Sequence, residues 1–301
     1  MCTRWSLFLF GIPFCESLSR MVRHAPLPLT KVHLKEVGNQ LIEHLFKEIP
    51  IIRKTTMNAL ILAAGLGTRL RPLTDHTPKA LIEVEGKPLL CHTIERLKKA
   101  GATEIVVNVH YLGEQIIDYL ARRDWGIPIV ISDERNQLLD TGGGIRKAAT
   151  LFSNPNVPLL IHNVDILSNA SLTELVKRAE EADAALLVSR RETSRYLLFD
   201  QSLQLKAWTN RKTGEVRTPF PELCPCELTP LAFSGIHVLG LGALQRLKEE
   251  PEKFSIIDFY LRNCDSLRLL GLHQENLQLL DVGKPDALEK APDFLKKISN
   301  D

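Results

Sequence analysis

From Asn58 onward, short apolar runs alternate with amphipathic stretches. The runs NALILAA, TEIVVNVHY, IPIVIS, VPLLIHNVD and AALLVSRR have strand length, are rich in Val, Ile and Leu, and show little polar alternation. Strands covered on both faces of a parallel sheet have that texture. Between them lie PLLCHTIERLKKAG, LGEQIIDYLARRDWG, GGIRKAATLF and NASLTELVKRAEEAD, which carry helical spacing. In the first, Leu90, Ile94 and Leu97 fall at i, i+4 and i+7, between Pro88 and Gly101, the expected punctuation of a helix. In the last, Asn169 or Ser171 can cap, and Glu174 stands three residues after Ser171, a capping-box spacing. The alternation predicts an α/β fold, a doubly wound and mostly parallel sheet whose ligand site lies beyond the carboxyl ends of the strands. After about Arg190 the texture changes. RYLLFDQSLQLKAWTNRKTGEV reads as strand, turn and strand, so a small antiparallel excursion is expected in the C-terminal half. KPDALEKAPDFLKKISN closes the chain as a predicted helix.

Composition narrows the function classes. With 301 residues, 44% hydrophobic, 25% charged and a formal net charge of +2, the chain is globular and lacks the basic excess of a general nucleic-acid binder. Six cysteines are scattered without a framework, and Cys224-Pro225-Cys226 has no second Cys or His pair at zinc spacing. Reduced thiols in a cytoplasmic protein are expected. The first 56 residues differ from the rest. WSLFLFGIPF is too short to span a bilayer; it resembles the apolar core of a weak signal peptide, but no small-x-small cleavage pattern follows. Met57 stands just before the first convincing strand. Residues 1–56 are therefore expected to be an extension outside the core, with Met57 a possible working start, and residues 57–301 a single domain.

The chemistry concentrates in LILAAGLGTRLRPLTDHTPKALI, Leu60 to Ile82. A Rossmann fingerprint wants a third glycine where Leu70 stands, and a Walker A loop wants Gly-Lys-Ser/Thr; neither is complete. What remains is a glycine turn whose backbone N–H groups can approach oxyanions, flanked by Thr68, Arg69, Arg71 and Lys79. Such a loop suits a polyphosphate. A solvated basic turn is the plainer alternative. A second loop, LLDTGGGIRKA, opens a helix with three glycines. Asp165 ends the run VPLLIHNVD and Asp281 the run LQLLDVG, both at the carboxyl ends of predicted strands. Asn163, two residues before Asp165, shares its strand face by period-two spacing, to touch a ligand or to satisfy a backbone group.

The stretch Leu-Ala-Ala-Gly-x-Gly-Thr-Arg-x-Arg-Pro-Leu-Thr, followed by Pro-Lys-Ala-Leu, resembles the signature of sugar-1-phosphate nucleotidyltransferases. The resemblance covers Met57 to about Leu288 and none of residues 1–56. It implies a Rossmann-like nucleotidyltransferase fold, with Ala63, Ala64, Gly65, Gly67, Thr68, Arg69, Gly142 and Gly143 binding the nucleotide. It also implies Arg69 and Lys79 as catalytic groups, Asn163 and Gly235 near the sugar, and Asp165 and Asp281 as ligands of Mg²⁺. Asp140 stands where the family commonly has glutamate. SRYLLFD and DVGKP look most like the short N-acetylmuramate-1-phosphate uridylyltransferases of cell-wall recycling. The implied partners are a nucleoside triphosphate and a sugar-1-phosphate, without nucleic acid or membrane, in a cytoplasmic monomer or small homo-oligomer. Guanylyl transfer to mannose- or heptose-1-phosphate and cytidylyl transfer to phosphocholine use the same loop. A catalytically silent regulatory subunit is the rival from another class, and it should have lost one of Asp165, Asp281, Arg69 or Lys79; all four are present.

Overall fold

The computed structural model describes residues 56–300. The apolar run Trp5 to Phe14, the polar stretch ahead of Met57 and the possible late start lie outside the described residues. The sheet opens with β1 (Met57–Leu62), followed by three 3₁₀ turns (Thr68–Leu70, Leu73–Asp75, Lys79–Leu81) and the hairpin β2 (Glu83–Val84) and β3 (Lys87–Pro88). Then come α1 (Leu89–Ala100), β4 (Ala102–Val109), α2 (Gly113–Ala121), β5 (Ile129–Asp133), α3 (Asp140–Ala149), β6 (Leu159–Asn163), β7 (Ile166–Ser168), α4 (Leu172–Glu180) and β8 (Ala184–Ser189). The second half contains β9 (Arg195–Phe199), β10 (Leu205–Asn210), β11 (Glu215–Arg217), β12 (Thr229–Leu239), α5 (Leu241–Leu247), α6 (Ile256–Asn263), β13 (Leu269–His273), β14 (Leu279–Asp281) and α7 (Pro285–Asn300).

The apolar runs lack polar alternation because successive residues feed two different cores. Ala59 and Ile61 of β1, with Ile105 and Val107 of β4, pack beneath α1, α2, α4 and α7. Leu60 and Val106 point the other way, against α3, α5 and α6. Each such side chain is fully buried, and burying a Leu, Ile or Val contributes about 1.5–3 kcal/mol. Helix boundaries follow the expected chemistry. Ser171 Oγ accepts a hydrogen bond from Glu174 N at 3.3 Å to cap α4, and Gly101 (φ 98°) ends α1 in the left-handed conformation that glycine adopts without strain.

Across the sheet the order is β5-β4-β1-β6-β12, with β8 and then β13 beyond β12. All neighbouring pairs are parallel except those of β12, which runs antiparallel to both β6 and β8. The chain first moves outward from β1 through β4 to β5, then returns to place β6 on the other side of β1. That reversal opens a crevice at the carboxyl ends of β1 and β6, where ligands bind in doubly wound sheets. The antiparallel excursion is present as β9, β10 and β11, joined to the main sheet where β9 pairs with Thr229–Leu231.

Two details depart from expectation. VPLLIHNVD is not one strand: β6 stops at Asn163, the chain turns, and β7 leaves the sheet to form a two-stranded ribbon with β14. Cys224 and Cys226 are joined in a disulfide, against the expectation of reduced thiols, whereas Cys91 and Cys264 are free and buried. A sequence shows spacing but not the loop geometry that brings two sulfurs together. No helix among the described residues is long and apolar enough to cross a membrane.

Candidate functional site

The crevice holds a cavity of about 420 Å³, lined along one wall by the loop that follows β1. Ala63 and Ala64 carry that loop off the sheet with buried side chains. Gly67 adopts φ +65°, and a Cβ there would lie 2.9 Å from Thr74 Cγ2. Thr74 Oγ1 in turn donates to Gly67 O at 2.8 Å, and Leu70 N donates to the same carbonyl at 2.9 Å. The turn is thus fixed from beneath, and Gly65, Thr68 and Arg69 line the cavity above it. Arg71 does not join them. It pairs with Asp75 at 3.2 Å on the exposed surface, where an ion pair contributes little.

The opposite wall comes from β6 and the β7/β14 ribbon. In that ribbon Asp281 lies opposite Ile166, and Val282 N donates to Asp165 O at 2.9 Å. Two aspartates far apart in the chain are therefore brought side by side by backbone pairing alone. Lys79 Nζ forms an ion pair with Asp165 Oδ2, with the two side chains only 11% and 18% exposed. Asp281 Oδ1 is buried and has no hydrogen-bond partner. A buried carboxylate oxygen left without a donor is costly, so this atom marks a position suited to an incoming cation or donor. Gly283 leaves room for the same cluster: a Cβ there would fall 2.7 Å from Asp281 Oδ1 and 3.0 Å from Arg69 Cζ. The Arg69 guanidinium makes no ion pair with any of the described residues. Arg69, Lys79 and Asp165 thus line one end of the cavity, with Asp281 just behind them against Gly283.

Asn163 lines the cavity beside Asp165. Gly235 (φ +74°) interrupts the β12 register between Phe233 and His237, and a Cβ on it would lie 2.6 Å from Asn163 Nδ2. The two expected sugar-side residues are therefore neighbours. Behind them sits His162, wholly buried, with Nδ1 2.8 Å from Asn163 O. Burial, and then the nearby Arg96 charge, pushes its pKa down to about 3, so it is neutral at physiological pH.

Gly142 and Gly143 read differently from expectation. Both amides donate to Phe254 O, at 2.9 and 3.2 Å, so neither is free to approach an anion. A Cβ on Gly142 would strike the Phe254 ring, and one on Gly143 would strike Glu252 O. Close packing of the 252–256 segment against α3 explains these glycines, while Leu138, Asp140 and Thr141 are the residues of this loop that line the cavity. Two further cavity residues were not singled out from the sequence: Asn108 at the end of β4 and Glu134 just after β5, 3% and 1% exposed. The available signal was a polar residue inside an apolar run, and an acid directly behind another.

Residues 58–197 match the nucleotidyl transferase family. Among characterised relatives, the N-acetylmuramate α-1-phosphate uridylyltransferase of Caulobacter vibrioides is 36% identical over 240 residues, which is 76% of this chain and 93% of that protein. The UTP–glucose-1-phosphate uridylyltransferase AglF of Haloferax volcanii is 31% identical over 256 residues, covering 80% of this chain and 97% of its own. The crystal structure of HddC from Yersinia pseudotuberculosis in complex with GMP-PN superposes with a TM-score of 0.63 at 21% identity. That match covers 79% of this chain and 99% of HddC and speaks to the fold alone.

Proposed function

Because the chain belongs to the nucleotidyl transferase family of sugar-1-phosphate nucleotidyltransferases, we propose that it transfers UMP from UTP to N-acetylmuramate-1-phosphate, releasing pyrophosphate. The observation that carries this reading is the meeting of Arg69, Lys79 and Asp165 at one end of the cavity, with Asp281 just behind them. The choice of base and sugar is supported by the Caulobacter vibrioides relative, which matches nearly end to end.

The chemistry asks little of acid–base groups. A sugar-1-phosphate is already anionic near neutrality, so its oxygen can attack the α-phosphorus without a general base or an enzyme nucleophile. One P–O bond forms there, the α–β anhydride bond breaks, and pyrophosphate leaves. The obstacles are repulsion between two anions and charge building on the leaving group, and positioning with electrostatics removes both. Arg69 holds the β/γ oxygens together with the amides of the Gly65–Gly67 turn. Lys79, kept in place by Asp165, neutralises charge on the reacting phosphates. Asn163, seated against Gly235, faces the acceptor sugar.

The donor set also fits Mg²⁺: two carboxylates with one oxygen unpartnered, all hard oxygen ligands, leaving other positions to water and phosphate. Asp165 and Asp281 would hold the ion, and when bound it supplies positive charge against the phosphate oxygens.

The test is pyrophosphate release with each of the four NTPs and a panel of sugar-1-phosphates. Release with UTP and N-acetylmuramate-1-phosphate, dependent on Mg²⁺, is expected. Release with GTP or CTP instead would overturn the base assignment, and binding of nucleotide without any release would point to the silent regulatory reading.

A further inference from the structure

Asn108 and Glu134 do more than fill the floor of the crevice. Asn108 Oδ1 accepts hydrogen bonds from Ala63 N at 2.7 Å and Ala64 N at 3.3 Å, the first two amides to leave β1. Asn108 Nδ2 donates to Glu134 Oε1 at 2.8 Å. Glu134 Oε2 accepts from Leu139 N at 3.2 Å, the residue just ahead of α3. A single chain of hydrogen bonds thus runs from the glycine loop on one wall of the cavity to the Asp140–Thr141 turn on the other.

Each member is buried and has little alternative. The Glu134 carboxylate forms no ion pair among the described residues, so its two donors are what make its burial tolerable. The third glycine of the run belongs to the same device. A Cβ on Gly144 would sit 2.8 Å from Glu134 Oε1 and 3.0 Å from Asn108 Nδ2, so no side chain fits over the strap.

We propose that Asn108 and Glu134 are positioning residues that set the spacing between the two walls of the nucleotide cavity, and so govern affinity for the nucleoside triphosphate rather than for the acceptor. The topology gives the direction of the effect. Glu134 follows β5 and Asp165 lies just past β6, three strand spacings apart in the order β5-β4-β1-β6. At about 4.8 Å per strand that is about 14 Å, which places Glu134 away from the Asp165 end, while the Asn108 end of the strap bears on the glycine loop that grips the triphosphate. The inference rests on the reading that an NTP occupies this cavity, but not on which NTP or sugar is used.

The experiment measures KM for both substrates, kcat, NTP affinity by calorimetry and Tm for the full chain carrying Glu134→Gln, Asn108→Ala, the double substitution, and Gly144→Ala. The expected result is a tenfold or larger rise in KM and Kd for the NTP, with KM for the sugar phosphate and kcat within about threefold. The double variant should be no worse than the poorer single, because either change breaks the same chain. Gly144→Ala, which removes neither strap residue, should reproduce the NTP effect and keeps the test decisive if Asn108→Ala fails to fold. Additive effects, equal shifts in both KM values, or an unchanged NTP affinity in soluble Glu134→Gln and Gly144→Ala would overturn the proposal. If the wild type turns over no substrate pair, the functional reading fails while the calorimetric arm still tests the strap.

Discussion

The two ends of the cavity are built on opposite terms. At the Asn108–Glu134 end every polar atom of the strap has a partner, and the residues are almost wholly buried. At the Asp165–Asp281 end one carboxylate oxygen is buried without a donor and a guanidinium stands unpaired among the described residues. The first arrangement is complete before any ligand arrives. The second is left incomplete by the described residues, and under the proposed function a phosphate with its accompanying cation would complete it. Shape is thus fixed in advance at one end, and unspent electrostatic capacity is held at the other.

The sharpest way to break this contrast is to remove charge from the incomplete end. Lys79→Ala or Asp281→Asn should lower kcat by roughly 100-fold or more, since one charge at ~4 Å in an effective dielectric of ~20 contributes about 4 kcal/mol before desolvation. Asp281→Asn should keep its melting temperature, whereas Lys79→Ala strands the Asp165 carboxylate and should lower it; with kcat measured well below the new Tm, a loss below threefold for Lys79→Ala would remove it from the mechanism. The complete end should show the reverse pattern. Gly142→Ala drives a Cβ into the Phe254 ring, and overpacking of this kind costs about 1–3 kcal/mol. Chemical denaturation should show that loss, and kcat measured well below the new Tm should change little.

A third prediction concerns acid. His162 and His237 are both buried, and both are pushed down to about 3, His237 by burial alone and His162 by burial and then Arg96. In the unfolded chain they titrate near 6.5, so below that pH the unfolded state binds more protons and stability falls. Each histidine should contribute up to about 1.4 kcal/mol of lost stability per pH unit between 6.5 and 3. Equilibrium unfolding at pH 7, 6 and 5 checks this, and His237→Phe should flatten the slope by about half. The smallest effect is expected for Asp140→Asn. Asp140 Oδ1 accepts from Thr141 N at 2.6 Å, a bond the amide oxygen keeps, so turnover should change by less than about threefold; a larger loss would give the Asp140 charge a direct role.

How much of this was legible in the sequence depends on how far apart the cooperating residues lie. The strands, α1 and the α4 cap were readable because their signals are local: Leu90, Ile94 and Leu97 share one turn spacing, and Ser171 meets Glu174 three residues on. The glycine loop was readable because its cations are contiguous with it. The meeting of Asp165 with Asp281 was not, since it depends on β7 leaving the sheet to pair with β14. Nor was the reversed direction of β12, because antiparallel and parallel interior strands bear the same apolar texture. Gly142 and Gly143 carried the right residue type for a nucleotide loop, but what crowds them is Phe254, more than a hundred positions away. Asn108 and Glu134 each look ordinary alone, and only their pairing gives them meaning.

The β7/β14 ribbon has one more consequence, for the order in which the protein is made. Everything that builds the nucleotide wall, from β1 to α3, is in place in the first half of the core, yet Asp281 joins it only through the last strand of the fold. A ribosome-bound chain that has emerged only as far as β13 can already form all ten strands of the main sheet, because β14 belongs to the separate ribbon. It would still lack the strand that delivers the second carboxylate. Closing that long loop is slow compared with local pairing. The main sheet can therefore close before β14 pairs with β7, and Asp165 and Asp281 are among the last groups of the fold to be brought together.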